Sequence, residues 1–227
     1  MPSETRSVRT STIAALAGRL LSFTLTHPVR VAIDGRSASG KTTFADELAV
    51  VIMETGRSVV RASIDDFHHP SVIRHRQGRH SPNGYYEDAR DLEALRELLL
   101  EPMGPNGSRQ YVVKSFDLDR DQPMKRKFLE ADNNSVLIID GTFLQRPELR
   151  AAWDYVVFLA VPSETARNRA VNRDCAIFGG RAAAEELYLR RYDPASARYE
   201  LECSPEDRAD AVIDNWDFDT AAIVRMR

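Results

Sequence analysis

Cysteine is scarce in this sequence, with only two among 227 residues. Cys175 and Cys203 lie in unrelated contexts, and no C-x-x-C spacing occurs. A disulfide framework needs several paired cysteines and a zinc site needs clustered thiolates, so the sequence argues against both. We therefore expect a protein of a reducing compartment, the cytoplasm.

Long hydrophobic runs are also missing. The N-terminal apolar stretch is interrupted by Gly18 and Arg19 and lacks the continuous apolar core of a signal peptide. No other run approaches the ~20 apolar residues that a membrane-spanning helix needs. We expect no membrane partner.

The chain has no excess of positive charge. Its 31 Lys and Arg residues stand against 34 Asp and Glu residues, for a net charge of −3, which gives little support to a nucleic-acid partner. With 43% hydrophobic residues, the chain can bury a sizeable core. We expect one domain spanning residues 1–227. Its oligomeric state stays open, and a homo-oligomer is compatible with the composition.

Hydrophobic periodicity predicts strands that alternate with helices. Strands are predicted at residues 29–34, 58–64, 108–118, 135–141, 155–161 and 209–215, and helices at 10–25, 41–56, 88–103, 163–174 and 182–192. This alternation favours an α/β fold with a mostly parallel sheet between two layers of helices. The polar, basic segment 71–86 is predicted to be a loop inside a substrate-region insert at about 68–90, and residues 163–192 to form a lid.

Residues 35–42 spell G-x-x-x-x-G-K-T between a β-branched strand and an amphipathic helix, as in a P-loop NTPase. Gly35 and Gly40 permit the tight curvature that turns successive backbone amides toward one anion. Lys41 brings positive charge to the terminal phosphates, and the Thr42 hydroxyl is a ligand for Mg²⁺. The residues predicted to bind the nucleotide are Gly35, Ser37, Ala38, Ser39, Gly40, Lys41, Thr42 and Thr43.

Two further strands end in acidic residues. Asp140 closes the run VLIID and is predicted to hold Mg²⁺ together with Thr42. Asp65 and Asp66 close the run SIDD, so they should lie near the phosphate loop, because ligands bind beyond the carboxyl ends of parallel strands. An aspartate there can accept the proton of an attacking hydroxyl. No NKxD-like guanine-reading string occurs, and together these features favour transfer to an alcohol over hydrolysis.

The ordered set of motifs resembles the uridine kinase-like family of P-loop small-molecule kinases, related to phosphoribulokinase and bacterial pantothenate kinase. The strings GRSASGKTTFA, SIDDFH, VLIIDGTF, RNRAVNRD, RYDPASARY and ADAVIDN carry this resemblance over residues 29–215. It implies ATP and Mg²⁺ as cofactors, Asp65 as catalytic base and additional metal contact, and Asp140 as the second acid. It also assigns Arg169 and Arg173 to the phosphates as lid arginines that act with Lys41 in catalysis.

The resemblance implies a nucleoside such as uridine or cytidine as phosphoryl acceptor, or a sugar-like or pantothenate-like alcohol. The predicted acceptor contacts are Asp66, Phe67, His68, Arg76, Tyr85, Tyr86 and Phe116. The stretch GRHSPNGYYED is basic and tyrosine-rich where uridine kinases carry an acidic one, and the lid has FGGR in place of arginine-glycine-arginine-aspartate. These departures leave the acceptor open.

Several side chains have two interpretations. The histidines of the insert, His68, His69, His75 and His80, could bind a metal or could be solvated or substrate-facing. Its arginines, Arg74, Arg76 and Arg79, could meet a phosphate or carboxylate of the acceptor, or could be solvated. Tyr85 and Tyr86 could stack on the acceptor or pack on the next helix. We expect residues 125–127 on the surface, and Trp153 and Trp216 in the core or at its edge.

The leading hypothesis is an ATP-dependent kinase that transfers the γ-phosphoryl group to a hydroxyl of a small molecule. A nucleotide-binding regulatory module without turnover is the main alternative, motivated by the altered substrate region. A chaperone-like or motor ATPase is a third, but no sensor or arginine-finger segment is recognisable.

Overall fold

The computed structural model describes residues 3–227, with side chains from residue 8 onward. A six-stranded sheet runs through it. Its strands are β1 (Val29–Gly35), β2 (Val59–Ser63), β7 (Val136–Gly141), β8 (Tyr155–Ala160), β9 (Ala211–Asp214) and β10 (Ala222–Met226), and they lie in the order β10-β9-β8-β1-β7-β2. Only β10 is antiparallel to its neighbour. The predicted α/β fold with a mostly parallel sheet is confirmed.

Ten α-helices lie in the described part of the chain. They are α1 (Ser3–Leu21), α2 (Lys41–Glu54), α3 (Ser71–Arg74), α4 (Pro82–Glu87), α5 (Leu92–Leu95), α6 (Pro147–Arg150), α7 (Ser163–Asp174), α8 (Arg181–Leu187), α9 (Asp193–Cys203) and α10 (Pro205–Arg208). Helices α5 and α8 continue as π-helical turns, Arg96–Leu100 and Tyr188–Tyr192. From residue 3 onward, no helix combines the length and apolar character that crossing a membrane requires.

Each face of the sheet carries its own hydrophobic core, because successive side chains of a strand point to opposite faces. On one face, Val31 and Ile33 pack with Leu16 of α1 and Leu48 of α2. On the other, Ile139 and its neighbours pack with leucines of α5 and the π-helical turn that follows it. The result is the predicted three-layer α/β/α arrangement.

Strand register brings the predicted acids to one edge of the sheet. Asp140 pairs with Ile33 of β1 on one side and with Ser63 of β2 on the other. Directly after these positions come the phosphate loop, which follows β1, and the 3₁₀ turn Ile64–Asp66, which follows β2. The carboxyl edge therefore gathers the chemistry in one place.

The predicted strand over residues 108–118 is wrong. This segment contains two short strands, β3 (Gln110–Tyr111) and β4 (Phe116–Asp117), which pair with β6 (Leu129–Glu130) and β5 (Gln122–Pro123) in two small separate sheets. Between them the Val112 amide donates to the Leu98 carbonyl at 2.8 Å. The apolar run therefore covers the core beside the central sheet without joining it.

Other boundaries differ from the sequence expectation. The segment 71–86 was predicted to be a loop, but it contains α3 and α4. Ser81 caps α4, because its hydroxyl oxygen accepts a hydrogen bond from the Gly84 amide at 3.0 Å. The first helix ends at Leu21, four residues before the predicted end, and α5 begins at Leu92 after its cap Asp91. Strand β10 was not expected.

The two tryptophans have different environments. Trp153 packs against the second core and donates its indole N–H to the Leu144 carbonyl at 2.7 Å. Trp216 is 62% exposed, so its assignment to the core or its edge is wrong. Residues 125–127 are exposed, as expected.

Candidate active site

A cavity of about 370 Å³ lies at the carboxyl edge of the sheet, beneath α7. Most of the predicted site residues line it together. They are Ser37, Ala38, Gly40, Lys41, Thr42, Thr43, Asp65, Tyr85, Asp140, Arg169 and Arg173. Gly35 and Ser39 belong to the same loop but do not line the cavity. The structure thus joins motifs that are more than a hundred residues apart in sequence.

Left-handed backbone shapes the phosphate loop. Ala38 has a φ of 58° and Gly40 a φ of 88°, just before α2 begins at Lys41. A Cβ atom at Gly40 would collide with the Phe218 ring and the Asn215 side-chain amide, so only glycine fits. The Asn215 amide donates to the Ser39 carbonyl at 2.7 Å. The loop and the start of α2 form a cradle suited to phosphate.

Lys41 reaches back over its own loop. Its Nζ donates to the Arg36 carbonyl oxygen at 2.6 Å. Burial lowers the pKa of Lys41 to about 8, although Asp34, Asp65 and Asp140 oppose the shift. An anion in the cradle would favour the protonated amine, so the lysine is suited to a negatively charged ligand.

The Thr42 hydroxyl donates to Asp140 Oδ2 at 2.7 Å, and Arg61 Nη2 donates to Asp140 Oδ1 at 2.9 Å. A hydroxyl and a carboxylate oxygen in contact are the hard donors that Mg²⁺ prefers. The residues present therefore fit a magnesium ion. In residues 8–227 no group of three or more His, Cys, Asp or Glu side chains could hold a metal, so the insert histidines form no such site.

Asp65 stands in the 3₁₀ turn after β2, with its side chain 65% exposed. Arg90 Nη2 donates to Asp65 Oδ1 at 2.5 Å, and this guanidinium lowers the pKa of Asp65, which stays ionised near neutral pH. The His68 ring donates from Nδ1 to the Asp65 carbonyl at 2.8 Å. Burial lowers the pKa of His68 to about 3, so this ring is neutral and braces the turn.

The two lid arginines lie on one side of α7. Arg173 makes two hydrogen bonds to the Asp174 carboxylate, at 2.7 and 2.9 Å, and Tyr188 donates to the same group at 2.5 Å. The Arg169 guanidinium stacks on the Phe218 ring, 3.9 Å from its centroid. Both arginines therefore present positive charge to the cavity from fixed positions.

Most of the predicted acceptor contacts do not reach this cavity; Tyr85 alone lines it. Phe67 is fully buried and Phe116 is 3% exposed, while Tyr86 packs in an aromatic cluster with Phe143 and Tyr199. Asp66 pairs with Lys114 at 3.0 Å, and Arg76 pairs with Asp88. His68 is 7% exposed and faces the turn. Packing and ion pairing hold these side chains elsewhere.

Five residues at or beneath the site were not predicted from the sequence. Arg90, Gly141 and Thr142 line the cavity, as does Phe218, which comes after the last predicted motif. Asp34 lies beneath the phosphate loop, fully buried, and burial raises its pKa. Its Oδ1 accepts from the Gly35 amide at 2.8 Å, while Oδ2 accepts from the Tyr199 hydroxyl and from Gln145 Nε2 at 3.1 Å. A charged residue at the end of an apolar strand was the available signal.

The parallel sheet, the phosphate loop at its carboxyl edge and the basic groups above it define a P-loop kinase fold. The model of the phosphoribulokinase / uridine kinase family matches residues 30–215, and the chain belongs to this family. It is a P-loop kinase of the uridine kinase and phosphoribulokinase type. No curated protein matches the sequence.

Solved structures share the fold along nearly their whole length. A possible uridine kinase of Bacillus stearothermophilus is 26% identical, with a TM-score of 0.69 and coverage of 88% of this chain and 96% of that one. A candidate fructose transport system kinase of Silicibacter sp. TM1040 is 22% identical, with a TM-score of 0.67 and coverage of 84% and 94%. D-glycerate 3-kinase of Cryptococcus neoformans is 14% identical, with a TM-score of 0.51 and coverage of 86% and 87%.

Proposed function

We propose that this protein is an ATP-dependent phosphotransferase that acts on a hydroxyl group of a small molecule. The proposal is carried by one observation: the ionised, exposed carboxylate of Asp65 and the phosphate loop line the same cavity. Asp65 and Lys41 line it together with Thr42 and Asp140, and the strand that carries Asp140, β7, lies between β1 and β2 in the sheet. A phosphate site alone would serve any nucleotide-binding protein, whereas a base beside it serves transfer to an alcohol.

In the proposed reaction the acceptor oxygen forms a bond to the γ-phosphorus, and the bond from that phosphorus to the β,γ-bridging oxygen breaks. ADP leaves with the bridging oxygen, and the hydroxyl proton passes to the Asp65 carboxylate. Lys41, Arg169 and Arg173 offset the charge that spreads over the phosphoryl oxygens. Mg²⁺ held at Thr42 and Asp140 would supply further neutralisation of the phosphates.

Family membership and the 26% identical relative, described as a possible uridine kinase, support ATP as donor and a nucleoside or sugar-like alcohol as acceptor. The proposed setting is the cytoplasm, because Cys175 and Cys203 are both free thiols. Acceptor choice depends on the insert and the lid, where this sequence departs from uridine kinases.

The proposal is tested by ADP release from ATP and Mg²⁺ over a panel of uridine, cytidine, pantothenate, ribulose 5-phosphate and simple sugars. We expect release that depends on one class of acceptor. Nucleotide binding without release for any acceptor would favour a regulatory module. Rapid ADP release without an acceptor would favour a hydrolytic ATPase.

A further inference from the structure

A second cavity, of about 1090 Å³, lies between the insert and the lid. One wall comes from α3 and the residues after it, including Arg74, His75, Arg79 and His80. The other wall comes from α8 and the π-helical turn that follows it, including Arg190 and Arg191. The two departures from uridine kinases named above, GRHSPNGYYED and FGGR, contribute Arg79 and His80 to the first wall and Phe178 and Gly179 to the second.

Positive charge dominates this cavity. Four arginines line it against two acids, Asp121 and Glu186. Asp121 is engaged by Arg74 at 2.6 Å, and Glu186 lies 3.3 Å from Arg190. Both acids are thus paired with an arginine, whereas Arg79 and Arg191 have no carboxylate partner among the residues that line the cavity. This surplus of positive charge points to an anionic ligand.

Tyr85 connects this second cavity to the candidate active site. The Arg191 guanidinium lies 5.2 Å from the centre of the Tyr85 ring, and Tyr85 itself lines the first cavity. Arg90, which holds Asp65, lies 5.5 Å from the same ring. One aromatic side chain therefore separates the basic cavity from the residues around the proposed base. A small molecule could place its hydroxyl at Asp65 and an anionic group beside Arg191.

We propose that the acceptor of this kinase carries a phosphate or carboxylate group, which Arg74 and Arg191 bind in the second cavity. The inference rests on the proposed function and narrows it, because a neutral nucleoside would leave the surplus positive charge of the cavity, at Arg191 above all, without a counter-charge. Guanidinium groups bind phosphate and carboxylate through paired N–H donors, which also fixes the orientation of the bound group. The two arginines would thus select the acceptor and align its hydroxyl.

Anion binding is measured directly by ³¹P NMR of inorganic phosphate, with the phosphate loop filled by a non-hydrolysable ATP analogue and Mg²⁺. We expect line broadening by the wild-type protein, and a loss of at least about tenfold in affinity in Arg191→Gln and Arg74→Gln. Arg191→Lys keeps the positive charge but loses the paired N–H donors of the guanidinium, so its affinity for phosphate should lie between those of the wild type and Arg191→Gln. Lys125→Gln removes one exposed charge away from the cavity and should match the wild type. Equal binding by all variants, or no binding at all, would overturn the proposal.

Turnover gives a second readout with matched acceptors: ribose against ribose 5-phosphate, and glycerol against glycerate. We expect the anionic member of a pair to have the higher kcat/KM, and Arg191→Gln to raise its KM at least about tenfold while the KM for ATP stays within about twofold. Equal kcat/KM for the neutral members would overturn the proposal of an anionic acceptor, while the proposed kinase activity would still stand. Transfer to neither member of any pair would count against the kinase, whereas phosphate binding by NMR would still support the anion site.

Discussion

The buried carboxylate beneath the phosphate loop is open to a quantitative test. Asp34→Asn replaces one acceptor oxygen of Asp34 by an amide donor. If that group takes the place of Oδ2, it meets the Tyr199 hydroxyl and Gln145 Nε2, both of which donate to Oδ2. A hydrogen bond to a charged group contributes about 1.5–3 kcal/mol, and relief from burying a charge offsets part of the loss. We expect the free energy of unfolding to fall by roughly 2–4 kcal/mol.

Urea unfolding of the whole chain at pH 7 measures this change. Tyr199→Phe removes one of the two donors to Oδ2 and also the acceptor of the Gln145 backbone amide, which lies 2.9 Å from the Tyr199 hydroxyl, so it should cost a similar amount. The double variant should lose at least about 1 kcal/mol less than the sum of the single ones, because both changes break the same contact. A loss below about 1 kcal/mol in Asp34→Asn, or full additivity, would show that this network does not support the loop.

Three further outcomes follow from the site. Nucleotide affinity should be level below pH 7 and fall by up to about tenfold per pH unit above pH 8, because the Lys41 amine, with its pKa of about 8, must take up a proton on binding. Calorimetry at pH 8 in two buffers of different ionisation enthalpy should detect that uptake, and its absence would refute the linkage. Asp140→Asn should raise the Mg²⁺ requirement of the reaction at least about tenfold while leaving metal-free ATP binding within about twofold, as a magnesium titration would show. Gly40→Ala should weaken nucleotide binding at least about tenfold, because its Cβ would strike Phe218, whereas Gly56→Ala, at a similar φ with nothing within 4 Å, should bind normally.

Much of the fold could be predicted because its central strands are buried on both faces. Strands such as β7 and β8 are continuous apolar runs bounded by Gly141 and Pro162, which is the pattern of a parallel sheet. The acids at the ends of these runs could be placed at one edge by topology alone. Asp65 and Asp140 accordingly line one cavity with the phosphate loop.

The features that could not be predicted from the sequence depend on contacts between residues that are far apart in the chain. Asp34 accepts a hydrogen bond from Tyr199, which lies 165 positions further along the chain, and no local sequence pattern predicts such a pair. Tyr85 and Tyr86 are neighbours on α4, yet one lines the cavity and the other packs against α9, because successive helical side chains diverge by about 100°. The run at 108–118 has strand-like composition. Such a composition is equally common in segments that are half-buried without belonging to the central sheet.

The most direct test of the central claim is the single-turnover rate of phosphoryl transfer in Asp65→Asn, measured with bound ATP, Mg²⁺ and the acceptor found by the panel. We expect a rate lowered at least about a hundredfold, since the amide cannot accept the hydroxyl proton, with the Kd for ATP within about threefold of the wild type. Transfer at a near-normal rate with intact ATP binding would contradict the assignment of Asp65 as the base.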